Sequence, residues 1–437
     1  MSKVCVIGIW HLGAVTSACL AELGYQVIGV ERDPEQAAAL NKGIPPLFEP
    51  GLEELMARHL ASGRLRYASS LQEGVQGGNY VIIAFDTPVD DQDEPDLSPI
   101  FATVEEMAAC LEDGATVIVS SQVPVGTCEA LADSLRGLNP QLRFGMACVP
   151  ENLRLGQAIA RFLHPDLLVL GADGEDTMAM VEALLSPILA PRVRVDLRTA
   201  EMTKHAINAY LATCISFGNE LGNLCDETGA DAFKVVQALK LESRVSPNAP
   251  LLPGLGFAGG TLARDMKVLL GLAEKHGYPA PLLNGVLAAN QLQNTRVVSR
   301  LERLLGTLQD KTIGVLGLTY KPGTSTLRRS AAIEIIQTLV VKGASVRAYD
   351  PKADPKELEP YLRDFTLCDD PYDVARGAHA LVIVTPWPEF KGLDLARLRA
   401  LMRNPVLLDV ANMLEPSHVV QAGFVYQGVG RGAAPSR

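Results

Sequence analysis

At 437 residues the chain is too long for one hydrophobic core and fits two or three domains of ~100–200 residues each. With 48% hydrophobic and 20% charged residues it is neither disordered nor of low complexity. Its formal net charge of −11, from 39 basic and 50 acidic residues, repels a phosphate backbone, so no nucleic-acid partner is expected.

The opening MSKVCVIGIW runs from one lysine into an apolar strand with no signal-peptide pattern, and no later run of 18 uncharged apolar residues occurs. The expectation is a cytoplasmic protein with no membrane segment. Through residue 200 short β-branched runs alternate with helix-like stretches: KVCVIGI, AVTSACLAELG, YQVIGVERD, YVIIAFDTP, ATVIVSSQV and DLLVLGA. That rhythm predicts a parallel sheet covered on both faces by crossover helices. From Thr199 the segment TAEMTKHAINAYLATCISFGNELGNLCDETG keeps apolar residues at helical spacing without proline, which predicts a long central helix. From Lys311 the strand–helix rhythm restarts with KTIGVLGLTYK, SAAIEIIQTLVVKGA, SVRAYDP, ALVIVTP and PVLLDVAN, a second α/β unit on the same plan. The eight cysteines (5, 19, 110, 128, 148, 214, 225 and 368) form no CxxC pair and no zinc spacing, so free buried thiols and no metal are expected.

Gly8-Ile9-Trp10-His11-Leu12-Gly13 follows the first strand and opens the first helix, where a dinucleotide fold places its glycine-rich turn. Gly8 permits the turn and Gly13 lets helix and strand pack closely, but Trp10 stands where a middle glycine would let the backbone approach a pyrophosphate. Glu31 ends the second strand 23 residues after Gly8, placed to accept from a ribose diol. Its neighbour Arg32 is the residue type that favours a 2′-phosphate; NAD is expected ahead of NADP. Lys204 and Asn208 are four apart, hence roughly 40° apart around a helix and on one face. A solvated face is the alternative, but the stretch around them is apolar, and a buried lysine needs a partner or an anionic ligand.

Nine or ten segments in register resemble the UDP-glucose/GDP-mannose dehydrogenase family over almost the whole chain. Beside the first turn they are Phe48-Glu49-Pro50-Gly51-Leu52, Thr87-Pro88, Val123-Pro124-Val125-Gly126-Thr127, Pro150-Glu151-Asn152-Leu153-Arg154 and Lys204 to Glu220. They continue with Pro253 to Gly260, Gly317-Leu318-Thr319-Tyr320-Lys321-Pro322, Tyr349-Asp350-Pro351 and Trp387-Pro388-Glu389-Phe390. The resemblance implies an α/β fold of two Rossmann-like doubly wound domains joined by a long central helix and a helical dimerisation domain. The expected boundaries are 1–198 for NAD binding, 199–305 for the central helical part and 306–437 for the nucleotide-sugar (UDP) part. It implies NAD-dependent oxidation of C6 of a UDP- or GDP-linked sugar from alcohol to carboxylate, by a homodimer.

For the site, the resemblance implies that Lys204 stabilises the oxyanion at C6, with Asn208 and Asp265 beside it and Glu151 retained. Gly8, Trp10, Gly13, Glu31, Arg32, Thr87, Pro88, Gln122 and Arg328 fall at cofactor positions, and Leu153, Arg154, Phe257, Gly259 and Lys321 at substrate positions. Thr261 stands where the family has its nucleophilic cysteine, Gln122 where a threonine positions the hydrolytic water, and Leu155 where an acid follows Glu151. A threonine hydroxyl has a pKa far above that of a thiol, and no histidine neighbours it in the sequence to activate it. The losses fall on the thioester half-reaction, so the enzyme is expected to stop after one oxidation. Ser325-Thr326 in place of Asp-Asp, and Val410-Ala411-Asn412 in place of Gly-Arg-Asn, leave base and sugar unassigned. Two other readings are a redox-neutral, epimerase-like use of NAD and a catalytically silent nucleotide-sugar-binding homologue, the latter suggested by Trp10.

Overall fold

Strand β1 (Lys3–Ile7) carries four consecutive buried apolar residues, Val4 to Ile7, because both faces of its sheet are covered and neither set of side chains meets water. A computed structural model of the chain describes residues 2–85, 87, 95–258 and 260–431, which form two units, Met1–Ala206 and Ile207–Arg437. In the first unit β1 is joined by β2 (Gln26–Val30), β3 (Leu65–Ala68), β4 (Tyr80–Ile83), β5 (Ala115–Val119), β6 (Phe144–Cys148), β7 (Leu168–Ala172) and β8 (Arg192–Val195). The order across the sheet is β3-β2-β1-β4-β5-β6-β7-β8. Cys5 of β1 lies between Ile28 of β2 and Val81 of β4. The strand order therefore reverses at β1, and a crevice for a ligand opens beyond the carboxyl ends of β1 and β4.

The expected parallel sheet is observed with one exception. Strands β6 and β7 run antiparallel, Cys148 opposite Gly171, and their connection carries only the six-residue helix Ala158–Leu163 in place of a full crossover helix. The helix after β1, His11–Glu22, is buried from Leu12 to Ala21; Gly13, Ala14, Ala18 and Ala21 are small enough to let it sink between sheet and neighbouring helices.

The long helix is Leu197–Thr228, 32 residues, and most of it belongs to the second unit. Helices Ala232–Leu241, Leu262–Lys275 and Pro281–Leu305 follow. Asp231 caps the first of these by accepting from the N–H groups of Phe233 and Lys234. Then come β9 (Thr312–Leu316), β10 (Ser345–Tyr349), β11 (Thr366–Leu367), β12 (Ala380–Ile383), β13 (Val406–Asp409) and β14 (Val425–Gly428). They form one parallel sheet in the order β11-β10-β9-β12-β13-β14. This repeats the order of the first six strands of the other sheet, so the shared plan read from the sequence is present.

Arg300, fully buried, fastens the helices of the second unit to its sheet. Its guanidinium pairs with Asp226 at 2.6 Å and donates to Asn223 Oδ1 at 3.0 Å and to the Gly428 carbonyl, at the end of β14, at 3.1 Å. Burial pushes its pKa below the usual arginine range while Asp226 opposes the shift, so removing Asp226 leaves a buried cation uncompensated. All eight cysteines are free; seven are buried and Cys110 is half-buried. Burial pushes the Cys5 thiol up to about 12, which makes it an inert packing group. Among the described residues no helix is long and apolar enough to cross a membrane, and no group of three or more His, Cys, Asp or Glu could hold a metal ion.

Candidate active site

In the first unit the turn after β1 is built by two glycines. Gly8 has φ +90°, and a Cβ there would lie 2.8 Å from the Phe85 ring and 3.0 Å from its backbone nitrogen. A Cβ on Gly13 would lie 2.1 Å from the Gly8 carbonyl oxygen, so only glycine lets the helix meet the strand end here. Trp10 precedes the helix and is 47% exposed; the indole is not part of the core. Glu31 follows β2 directly, half-buried, and its Oε1 accepts from the Asp33 N–H at 3.1 Å. Arg32 turns instead to helix Ser98–Met107, where its Nη2 donates to Thr103 Oγ1 at 3.1 Å and pairs with Glu106 at 2.9 Å. The guanidinium is thus engaged away from the carboxylate, an arrangement that fits a ribose diol better than a 2′-phosphate. Thr87, buried, donates through Oγ1 to the Gln122 carbonyl at 2.9 Å, so these two predicted residues meet beyond β4 and β5. Pro88 lies outside the described residues.

Beyond β6, Glu151 accepts from the Leu153 N–H through Oε2. Lys204, 7% exposed, donates Nζ to the Glu151 carbonyl at 2.5 Å and to Asn152 Oδ1 at 3.3 Å, with Glu151 Oε1 at 3.7 Å. A buried ammonium beside a carboxylate and two carbonyl acceptors is satisfied as a cation. Leu153 is half-buried and Arg154 exposed; the Arg154 carbonyl accepts from the Gln157 N–H.

Three residues of this unit had no role in the sequence reading. Glu49 is buried and accepts from the N–H groups of Gly156 and Ala158, both at 2.8 Å, and from His11 Nε2 at 2.9 Å. Glu201, one turn before Lys204, accepts from the N–H groups of Gly126 and Cys128 at 2.5 and 2.8 Å, and His205 Nε2 donates to the Val123 carbonyl at 2.9 Å. The Val123–Thr127 segment is therefore held by the same helix that carries Lys204. Most of their partners are backbone groups far away in the chain, which no pattern of side-chain types announces.

In the second unit Asn208, 7% exposed and one turn after Lys204 on the long helix, donates Nδ2 to Asp265, which is completely buried in the first turn of helix Leu262–Lys275. Thr261 immediately precedes that helix, is exposed, and its carbonyl accepts from the Asp265 N–H at 3.1 Å. The loop before it is fixed by amide side chains. Asn290 accepts from the Phe257 N–H at 2.6 Å and donates to the Phe257 carbonyl at 3.1 Å. Gln293 donates to the Gly254 carbonyl at 2.6 Å, and Asn219 bonds the Gly254 N–H and the Leu255 carbonyl. Gly259 lies outside the described residues.

Lys321, half-buried, lies in the turn region beyond β9 with Nζ 5.4 Å from the centroid of the Tyr320 ring. Arg328 is exposed, and its N–H donates to Thr326 Oγ1 at 3.1 Å.

Three family models cover most of the chain. The NAD binding domain of the UDP-glucose/GDP-mannose dehydrogenase family matches residues 2–189, its central domain 198–292 and its UDP binding domain 314–416. A UDP-glucose 6-dehydrogenase of Pseudomonas aeruginosa is 37% identical over 98% of this chain and 97% of its own length. One from Rhizobium meliloti is 36% identical over 98% and 99%. Among solved structures, a UDP-glucose dehydrogenase of Pyrobaculum islandicum superimposes with a TM-score of 0.87 at 31% identity, covering 99% of this chain and 98% of that one. A UDP-D-ManNAc dehydrogenase of Pyrococcus horikoshii gives 0.87 at 26% identity, covering 99% and 100%. The chain belongs to the UDP-glucose/GDP-mannose dehydrogenase family.

Proposed function

We propose that this family member is an NAD-dependent oxidoreductase of the C6 alcohol of a UDP-linked, glucose-type sugar, and that it releases its product after a single oxidation. The observation that carries the first part is the buried Lys204 ammonium, held by Glu151 and Asn152 and not by solvent. The fit of the cofactor rests on Gly8 and Gly13, neither of which has space for a Cβ, and on the carboxylate of Glu31 beside them. When bound, NAD supplies the hydride acceptor. An ammonium has three donors; two bind the Glu151 loop, and we assign the third to the sugar oxygen, where it stabilises negative charge. Within the second unit Asn208 is oriented by its hydrogen bond to the buried Asp265. The dehydrogenase names of the relatives favour this over the redox-neutral and silent readings.

The single oxidation follows from Thr261. Its hydroxyl belongs to an exposed residue, and a hydroxyl there is a far weaker nucleophile than a thiolate. In the same reading Gln122, Thr87 and Arg328 serve the cofactor, Leu153, Arg154, Phe257 and Lys321 the sugar nucleotide, and the chain divides at 1–198, 199–305 and 306–437. A homodimer is supported by Tyr210, Phe217 and Leu224, which are 57%, 51% and 64% exposed at seven-residue spacing on the long helix and so form one apolar stripe. A cytoplasmic location is supported by eight unpaired cysteines.

The test is the product profile. Purified protein incubated with NAD and a panel of nucleotide sugars should yield one NADH and an aldehyde per sugar; two NADH and a uronate would refute the single oxidation. Thr261→Cys should raise carboxylate formation.

A further inference from the structure

The Glu49 carboxylate is buried and far from water's stabilisation, a state that costs free energy unless donors surround it. Its three donors come from two distant places in the chain: the ring of His11 in the first turn of the helix after β1, and the backbone N–H groups of Gly156 and Ala158. The carboxylate thus meets the His11 ring at Nε2 and two backbone N–H groups, within 2.9 Å in each case. Gly156 and Ala158 follow the loop whose Glu151 carbonyl and Asn152 side chain hold Lys204. His11 follows Trp10 in the Gly8–Gly13 turn. A side chain that touches neither ligand in the proposed reading thus ties the segment that would meet the cofactor's pyrophosphate to the segment that orients the reacting lysine.

We propose that Glu49 is a positioning residue that couples the Gly8–Gly13 turn to the Glu151 loop, with His11 as the link on the cofactor side. The inference rests on the reading of the protein as an NAD-dependent oxidoreductase. Charge-assisted hydrogen bonds are stronger than neutral ones, and a glutamine at position 49 offers one acceptor oxygen and turns an amino group toward the remaining donors. Glu49→Gln therefore releases part of both segments at once, whereas His11→Phe releases only the turn.

The experiment uses the full chain without sugar. NAD affinity is read from tryptophan fluorescence, since Trp10 and Trp387 are the two tryptophans, and amide hydrogen exchange is read at Gly156 and Ala158. Glu49→Gln should raise the NAD Kd at least fivefold and speed exchange at both amides at least tenfold. His11→Phe should raise the Kd by a similar factor and leave both amides protected, and the double variant should bind NAD no more weakly than His11→Phe. A Glu49→Gln protein that melts earlier but keeps its Kd within twofold of wild type overturns the proposal, as do effects on Kd that multiply in the double variant. Should Glu49→Gln not fold, His11→Phe decides alone, and an unchanged Kd overturns the coupling. Neither readout involves turnover, so a wild-type protein that oxidises no nucleotide sugar would count against the functional reading only.

Discussion

The two sheets share one strand order, yet the carboxylate at the end of the second strand does different work in each. In the first unit Glu31 follows β2 and, among the described residues, accepts one bond, from the Asp33 N–H. In the second unit Asp350 follows β10 and is saturated. Its Oδ2 accepts from the N–H groups of Leu318 and Thr319, the Thr319 hydroxyl and the Trp387 indole at 2.7–3.1 Å, and its Oδ1 from the N–H groups of Lys352 and Ala353, both at 2.9 Å. The N–H groups of the turn after β9 point at this carboxylate and not outward at an anion. The same architecture therefore presents an acceptor in one unit and consumes it in the other, and strand order alone does not tell which unit takes a dinucleotide.

The largest effect that separates the two carboxylates is on stability. Asp350→Ala removes the acceptor of six donors, several of them part-buried, and is expected to lower the unfolding free energy by about 3–5 kcal/mol, the range for breaking a buried charged network. Urea unfolding measures it, and a loss below about 1 kcal/mol would break the comparison. Glu31→Ala should change stability by no more than about 0.5 kcal/mol, as for most surface positions, while weakening NAD binding roughly tenfold, or about 1.4 kcal/mol. Calorimetric titration with NAD and NADP checks this; a gain in NADP affinity on Arg32→Ala would show that the pairing of Arg32 with Glu106 and Thr103 misled the cofactor assignment.

What could be read in advance follows from where periodicity is strong. The helix from Leu197 to Thr228 was legible because its apolar spacing runs unbroken, and β1, β2, β4, β5, β7, β9, β10, β12 and β13 because each lies in a short apolar run. Strand β8, RVRV, is exposed at two of its four positions and gives no apolar signal, and β6, FGMAC, contains one bulky β-former, Phe144. The antiparallel β6·β7 pair was illegible because direction depends on the connection and not on strand composition. At the site, Lys204 and Asn208 stood out as polar residues in an apolar helix. Glu49, Glu201, His205 and the amides of Asn219, Asn290 and Gln293 did not, because their partners are backbone groups 33–109 residues away, which side-chain types alone do not announce. The eight cysteines are free as expected, and all are buried except Cys110, which is half-buried.

The smallest effect concerns a second strand-end carboxylate, which shows what happens when saturation is incomplete. Asp409 closes β13, is completely buried, and its Oδ2 accepts from the Leu414 N–H at 2.8 Å and the Tyr426 hydroxyl at 3.2 Å, while Oδ1 has no hydrogen-bond partner. Burial pushes its pKa above the usual carboxylate range, against the opposing backbone bonds of Leu414 and Met413. A folded state that holds this proton more tightly than the unfolded chain loses stability as pH rises from the unfolded value through the folded one. Below that window the protonated acid contributes its full benefit; above it the buried charge is a cost. Asp409→Asn, neutral at every pH, should flatten this contribution, so the stability of the variant relative to wild type should increase as pH is raised from 3.5 to neutrality. Urea unfolding of both proteins across that range measures the difference, and a relative stability that stays constant or falls would mean that Asp409 is as well paired as Asp350.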